Sequence, residues 1–155
     1  MTIQKKPLGT LGVEITGVDV GRDLSGGNGD NLFGEIRQAW QEAGGLMVIR
    51  DQTIDQQQHI DFSRRFGPLF HDDGQPPLQD TVSRYLHPDH PQLYRVSNKV
   101  DAKGEAQGRK GAGTYWHSDV SFRDRPAQAS VLYAIEIPPY GGDTIFADMA
   151  AAYDA

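Results

Sequence analysis

Thr114-Tyr115-Trp116-His117-Ser118-Asp119-Val120-Ser121-Phe122 is the stretch on which the reading of this chain turns. It sets a histidine and a carboxylate two residues apart. On an extended strand, residues i and i+2 share a face, so Nε2 of His117 and a carboxylate oxygen of Asp119 can reach one cation. Two imidazoles and one carboxylate with open positions suit non-haem Fe(II) and O2 chemistry. The second imidazole has to come from elsewhere, and no histidine follows position 117. The stretch therefore reads as a metal half-site. A His-x-Asp pair taken alone has a bland competitor, a surface hydrogen bond, and its surroundings must decide between the two.

Upstream, residues 98–113 carry Gly104, Gly108, Gly111 and Gly113 among charged residues, a long loop leading into the His117 strand and placed where a lid would be. Leu93 to Ser97 reads as a strand, and the proline-rich residues 68–92 as loop. Nearer the N-terminus, Gly12 to Val18 alternates apolar and polar residues, a half-buried strand. From Asp30 or Asn31 as cap, Leu32, Phe33, Ile36, Trp40 and Ala43 recur at helical spacing until Gly44-Gly45 ends the run. Leu46 to Ile49 is a short buried strand. Thr53-Ile54-Asp55-Gln56 has capping-box spacing ahead of a second helix, through Ile60, Phe62 and Phe66, that Gly67-Pro68 closes.

Downstream, Ala129 to Ile137 puts Val131, Tyr133, Ile135 and Ile137 on one face of a strand. Pro138 to Gly142 is a tight turn, Thr144 to Phe146 is extended, and Asp148 caps a helix only about two turns long. That brevity leads us to expect a fragment of a longer protein.

The bulk properties narrow the partners. The 155 residues suffice for one domain or part of one, with 37% hydrophobic residues and enough chain to bury a core. A net charge of −6 disfavours nucleic acid or an anionic membrane as main partner and favours a small molecule. Zero cysteines exclude disulfides and thiolate metal sites and fit a reducing cytoplasm. There is no apolar leader and no 18-residue apolar span. Of the other histidines, His87 and His90 each precede a proline and read as loop, His71 is a stray second-imidazole candidate that reads better as a solvated loop residue, and His59 reads as helix surface. Lys99, Lys103, Arg109 and Lys110 read as a solvated loop.

Trp116 to Phe122, then Pro139-Tyr140-Gly141-Gly142-Asp143-Thr144, Ala147-Asp148-Met149 and Ala151 to Ala155, together resemble the taurine / 2,4-dichlorophenoxyacetate dioxygenase family. The segment from Leu8 to Asp19, Val48-Ile49-Arg50-Asp51-Gln52 and Phe66-Gly67-Pro68-Leu69 are similar to it as well. The resemblance implies a mixed, β-rich fold, a double-stranded β-helix or jelly-roll with flanking helices, here cut short after its first half. Residues 1–155 are then the N-terminal part of a single dioxygenase domain. It implies Fe(II) and 2-oxoglutarate as cofactors, with His117 and Asp119 as the first two metal ligands. Thr144 matches the residue that helps bind the 2-oxoglutarate carboxylate, and Val120 and Phe122 match positions beside the substrate pocket. Asn98 lies where the family reads its substrate. The family's distal histidine and arginine have no counterpart in this sequence.

The function so implied is hydroxylation, with O2, of a small and anionic organic substrate of sulfonate or aryloxyalkanoate type, the 155 residues alone being inactive. The segment from Phe146 to Met149 looks nearer the aryloxyacetate branch. A catalytically dead jelly-roll binding module, or a subunit completed in trans, is the rival, and assembly into a homo-oligomer is left open.

Overall fold

The structure is a computed structural model and describes residues 2–69, 72 and 83–155. It divides into two compact units, one of Met1–Gln58 with Tyr133–Ala155 and one of His59–Leu132.

The first unit is built on a three-stranded sheet of order β1-β2-β3, with β1 at Gln4–Pro7, β2 at Val13–Thr16 and β3 at Met47–Ile49. β1 runs antiparallel to β2 with Gln4 opposite Thr16, and β2 runs parallel to β3 with Val13 opposite Met47. The alternation read in β2 is real: Val13 and Ile15 are buried while Glu14 and Thr16 are half-buried. β1 is the strand that the apolar pattern does not announce. Its four residues, Gln4-Lys5-Lys6-Pro7, are all exposed, as suits an edge strand whose polar side chains and proline block further pairing.

The parallel β2-β3 pair requires a crossover, and α1 at Gly29–Glu42 supplies it, packing on β2. Its buried residues Leu32, Phe33, Ile36 and Ala39 fall at helical spacing. The helix begins earlier than expected, with Asn28 rather than Asp30 or Asn31 at the cap. Gly29 explains this: a Cβ there would sit 2.7 Å from the carbonyl carbon of Leu24, so only glycine lets the loop from Leu24 pass so close to the first turn. At the other end Gly44, at φ 74°, turns the chain left-handed, and the Gly45 N–H donates to the Trp40 carbonyl at 2.9 Å.

The turn after β3 is held by one side chain. Gln52 accepts from the Val20 N–H at 2.9 Å and donates to the carbonyls of Val18 at 2.7 Å and Arg50 at 2.6 Å. Asp51 lies beside it at φ 58°, and the Gln52 bonds tie residues 50–52 to the Val18–Val20 segment. Arg50 Nε reaches back to Glu14 Oε2 at 2.8 Å, and that guanidinium bond holds the Glu14 carboxyl below its usual range.

α2 spans Gln56–Arg64. Its capping box lies two residues beyond the expected Thr53–Gln56 pair. Asp55 Oδ1 accepts from the Gln58 N–H at 2.8 Å and Gln58 Oε1 accepts from the Asp55 N–H at 2.9 Å. Asp is as good a cap as Thr, and in the structure it is Asp55 that makes the reciprocal pair, with Gln58. Phe62 and Phe66 then meet edge to face at 5.4 Å. α3, at Met149–Asp154, starts where expected, with Asp148 Oδ1 accepting from the Ala151 N–H at 2.9 Å.

The strands expected at 93–97, 114–122, 129–137 and 144–146 do not form as strands. Isolated bridges occur at Leu86 with Tyr94, Val96 with Arg109 and Val100 with Ala106, and residues 114–147 carry no ladder. A strand needs a continuous partner to satisfy its N–H and C=O groups; residues 93–97 find isolated bridges in place of a ladder, and residues 114–147 have no ladder partner among the described residues. Their apolar side chains stay in solvent, Ile135 being 83% and Phe122 80% exposed. The architecture the structure displays is thus a small mixed fold with one three-stranded sheet, and the described residues form no jelly-roll sheet. The loop at 98–113 is folded into a turn by Asp101, whose Oδ1 accepts from the N–H groups of Lys103 at 2.8 Å and Glu105 at 2.9 Å.

Candidate metal centre

Without a strand to hold them, His117 and Asp119 meet by a turn. Val120 lies at φ 46°, a left-handed conformation that a β-branched residue adopts only under strain, and the Arg123 N–H donates to its carbonyl at 3.1 Å. The consequence is local and chemical. His117 Nδ1 bonds to the Tyr115 carbonyl at 2.8 Å. A carbonyl can only accept, so Nδ1 carries the hydrogen and the neutral ring presents its lone pair at Nε2. Nε2 faces Asp119 Oδ1 at 3.4 Å. Two electron-pair donors this close repel unless a proton or a cation lies between them.

The other carboxylate oxygen is occupied. Ser130 Oγ donates to Asp119 Oδ2 at 2.6 Å, leaving Oδ1 as the oxygen turned toward the imidazole. Two ligands at right angles on one ion, each ~2.1 Å away, would stand about 3 Å apart. The 3.4 Å separation is somewhat wider and corresponds to an angle of about 108° at that ligand distance, so both atoms can reach one divalent ion without the spacing itself selecting a coordination geometry, and both side chains are open to solvent. Among the described residues no third His, Cys, Asp or Glu joins them.

The remaining candidates are dispersed. Thr144 is exposed and belongs to the first unit. Asn98 and Phe122 are exposed, and Val120, half-buried, follows Asp119 directly. His87 and His90 form the loop that the flanking prolines call for, rings 5.2 Å apart, with the Asp89 N–H donating to His87 Nδ1 at 3.2 Å. His71 lies outside the described residues.

His59 departs from its reading as helix surface. It is half-buried, and Nε2 donates to the Val131 carbonyl at 3.2 Å. Burial lowers its pKa from the ordinary 6.5, and the bond to Val131 opposes that only in part. Nothing local signals this contact, because its partner is 72 residues away. A depressed imidazole pKa means that the unfolded chain takes up the proton first on acidification. His59 therefore contributes stability above about pH 6.5 that is lost as pH falls below it. We expect the urea midpoint to drop from pH 7.5 to 5.5 and His59→Gln to flatten that part of the curve; an unchanged slope in the variant would assign the pH dependence to other groups.

The sequence matches the model of the family described as taurine catabolism dioxygenase TauD, TfdA family, over residues 4–155. The chain belongs to the TauD/TfdA family. Within it, the chain is 37% identical over 154 residues to the alpha-ketoglutarate-dependent 2,4-dichlorophenoxyacetate dioxygenase of Cupriavidus pinatubonensis, a match covering 96% of this chain and 50% of that protein. It is 34% identical over 146 residues to pentalenolactone F synthase of Streptomyces avermitilis, covering 93% and 45%. It is 30% identical over 159 residues to the alpha-ketoglutarate-dependent sulfonate dioxygenase of Saccharomyces cerevisiae, covering 97% and 34%. The chain thus spans half or less of the length of these TauD/TfdA relatives. Among the described residues no helix is long and apolar enough to cross a membrane.

Proposed function

We propose that this chain carries the first part of an Fe(II)- and 2-oxoglutarate-dependent dioxygenase acting on a small anionic substrate of sulfonate or aryloxyalkanoate type, in the cytoplasm. The observation that carries the reading is the pair of lone-pair donors, His117 Nε2 and Asp119 Oδ1, held 3.4 Å apart by the Tyr115 carbonyl and the Ser130 hydroxyl. Membership of a family whose relatives are named for alpha-ketoglutarate-dependent oxygenation supports it.

In this reading His117 and Asp119 hold the metal, Asp119 supplying a negative charge and His117 a neutral nitrogen fixed by its Nδ1–H bond. When bound, iron with 2-oxoglutarate supplies activation of O2 coupled to oxidative decarboxylation of the 2-oxo acid and oxidation of a substrate C–H bond. Thr144 donates its hydroxyl to the 2-oxoglutarate carboxylate, and Asn98, Val120 and Phe122 line the substrate pocket. In the complete domain the apolar segments around Ile135 and Ile145 become strands of a double-stranded β-helix, which covers side chains now exposed.

The test is a substrate panel on the full-length protein with Fe(II), 2-oxoglutarate and O2. Release of a phenol from aryloxyacetates, or of sulfite from alkyl sulfonates, is the expected result. Binding of these anions with no 2-oxoglutarate consumed would favour a binding module instead.

A further inference from the structure

The hydroxyl of Ser130 does more than decorate a surface carboxylate. It donates to Asp119 Oδ2 at 2.6 Å, the length of a charge-assisted bond, while Asp119 Oδ1 is the oxygen facing His117 Nε2. Asp119 is thereby divided: one oxygen is spent on Ser130 and the other is left for whatever lies beside the imidazole. The division fixes rotation about the last side-chain torsion of Asp119, which is otherwise broad.

Ser130 is itself anchored from a distance. The next residue, Val131, gives its carbonyl to His59 on α2 at 3.2 Å. α2 is a regular helix within which Ser63 Oγ donates to the His59 carbonyl at 2.8 Å, so the backbone carrying Ser130 is tied to a rigid element rather than to the exposed turn that holds Asp119. The contact spans 11 residues of chain from Asp119 to Ser130 with no regular structure between them. It would serve little purpose for stability, since exposed pairs of this kind contribute little.

We propose that Ser130 is a positioning residue for Asp119: it holds Oδ2 so that Oδ1 is presented singly to a divalent cation beside His117 Nε2, with His59 pinning Ser130 through the Val131 carbonyl. The inference rests on the assignment of His117 and Asp119 as metal ligands. Loss of the hydroxyl frees the carboxylate to rotate, to turn both oxygens or neither toward the ion, and so weakens binding without removing a ligand. Partners of ligating groups in other metal sites change affinity by about 10–100-fold when removed.

The experiment is a calorimetric titration of the full-length protein with Co(II), an ion of similar N/O preference to Fe(II), run on the wild type, Ser130→Ala, Ser130→Thr and Asp119→Ala. The expected result is about 10–100-fold weaker binding by Ser130→Ala at an unchanged unfolding midpoint, near-wild-type binding by Ser130→Thr, and loss of binding by Asp119→Ala. Wild-type affinity in Ser130→Ala alongside loss in Asp119→Ala would overturn this inference alone. A Ser130→Thr variant as weak as Ser130→Ala would overturn it too, since the hydroxyl would then not be the acting group. Undiminished binding by Asp119→Ala would overturn the ligand assignment itself and this inference with it.

Discussion

In the full-length protein, His117→Ala and Asp119→Ala each reduce 2-oxoglutarate decarboxylation to the level of a metal-only blank, a loss of more than about 10³-fold. The expectation follows from what each removal leaves. Without the imidazole, Asp119 keeps its charge but faces empty space where Nε2 stood 3.4 Å away. Without the carboxylate, a neutral nitrogen alone must hold a divalent ion that prefers charged oxygen partners. Both residues are substantially exposed, so neither substitution should cost more than about 0.5 kcal/mol of stability, and loss of turnover would not be loss of fold. Release of CO2 from carboxyl-labelled 2-oxoglutarate measures it. Retained turnover in both variants would reduce the pair to a surface hydrogen bond.

The second large effect is structural. Ile15→Ala destabilises the first unit by about 2–5 kcal/mol, the range for emptying a fully buried aliphatic site. Ile15 is 0% exposed at the centre of β2, opposite Lys5 on one side and Ile49 on the other, beneath α1. At a urea slope of about 1–3 kcal/mol per molar, such a loss moves the midpoint by one to several molar, or unfolds the unit outright. Ile135→Ala, at a residue 83% exposed, should stay within about 0.5 kcal/mol in the same chain. Equal effects at the two positions would mean that the core has been placed wrongly.

These two predictions mark how far the sequence could be read. The apolar spacing of Leu32, Phe33, Ile36 and Ala39 and the alternation of Val13 and Ile15 were legible because each is a local pattern that the sheet and helix bury directly. β1 was not, because an edge strand made of Gln4-Lys5-Lys6-Pro7 carries no apolar signal and exists only by pairing with β2. The α2 cap lies two residues beyond the expected register because Thr53 and Asp55 are both competent caps, and the reciprocal bonds form between Asp55 and Gln58.

The site divides along the same line. The proximity of His117 and Asp119, 3.4 Å apart at Nε2 and Oδ1, was legible because they sit two residues apart in one motif. Ser130 and the Tyr115 carbonyl, which set the carboxylate and the ring, were not: a serine in an alternating segment and a backbone oxygen carry no signature before the chain is folded. His59 was misread for the same reason, its partner Val131 being remote in sequence. The pattern of Val131, Tyr133, Ile135 and Ile137 was legible as a strand, yet a strand is a property of a pair. Among these four, Val131 is held through its carbonyl, which accepts from His59 Nε2 at 3.2 Å, and Tyr133 through its hydroxyl, which donates to the Gln52 carbonyl at 3.3 Å.

The most direct test of the account is the Fe(II) dependence of 2-oxoglutarate turnover by the protein isolated intact from its own cells. We predict that succinate and CO2 form in equal amounts with O2 consumed, that a chelator stops the reaction and that added Fe(II) restores it. A full-length protein that binds Fe(II) and 2-oxoglutarate yet forms no succinate with any sulfonate or aryloxyalkanoate, or one whose turnover is indifferent to the metal, would contradict it.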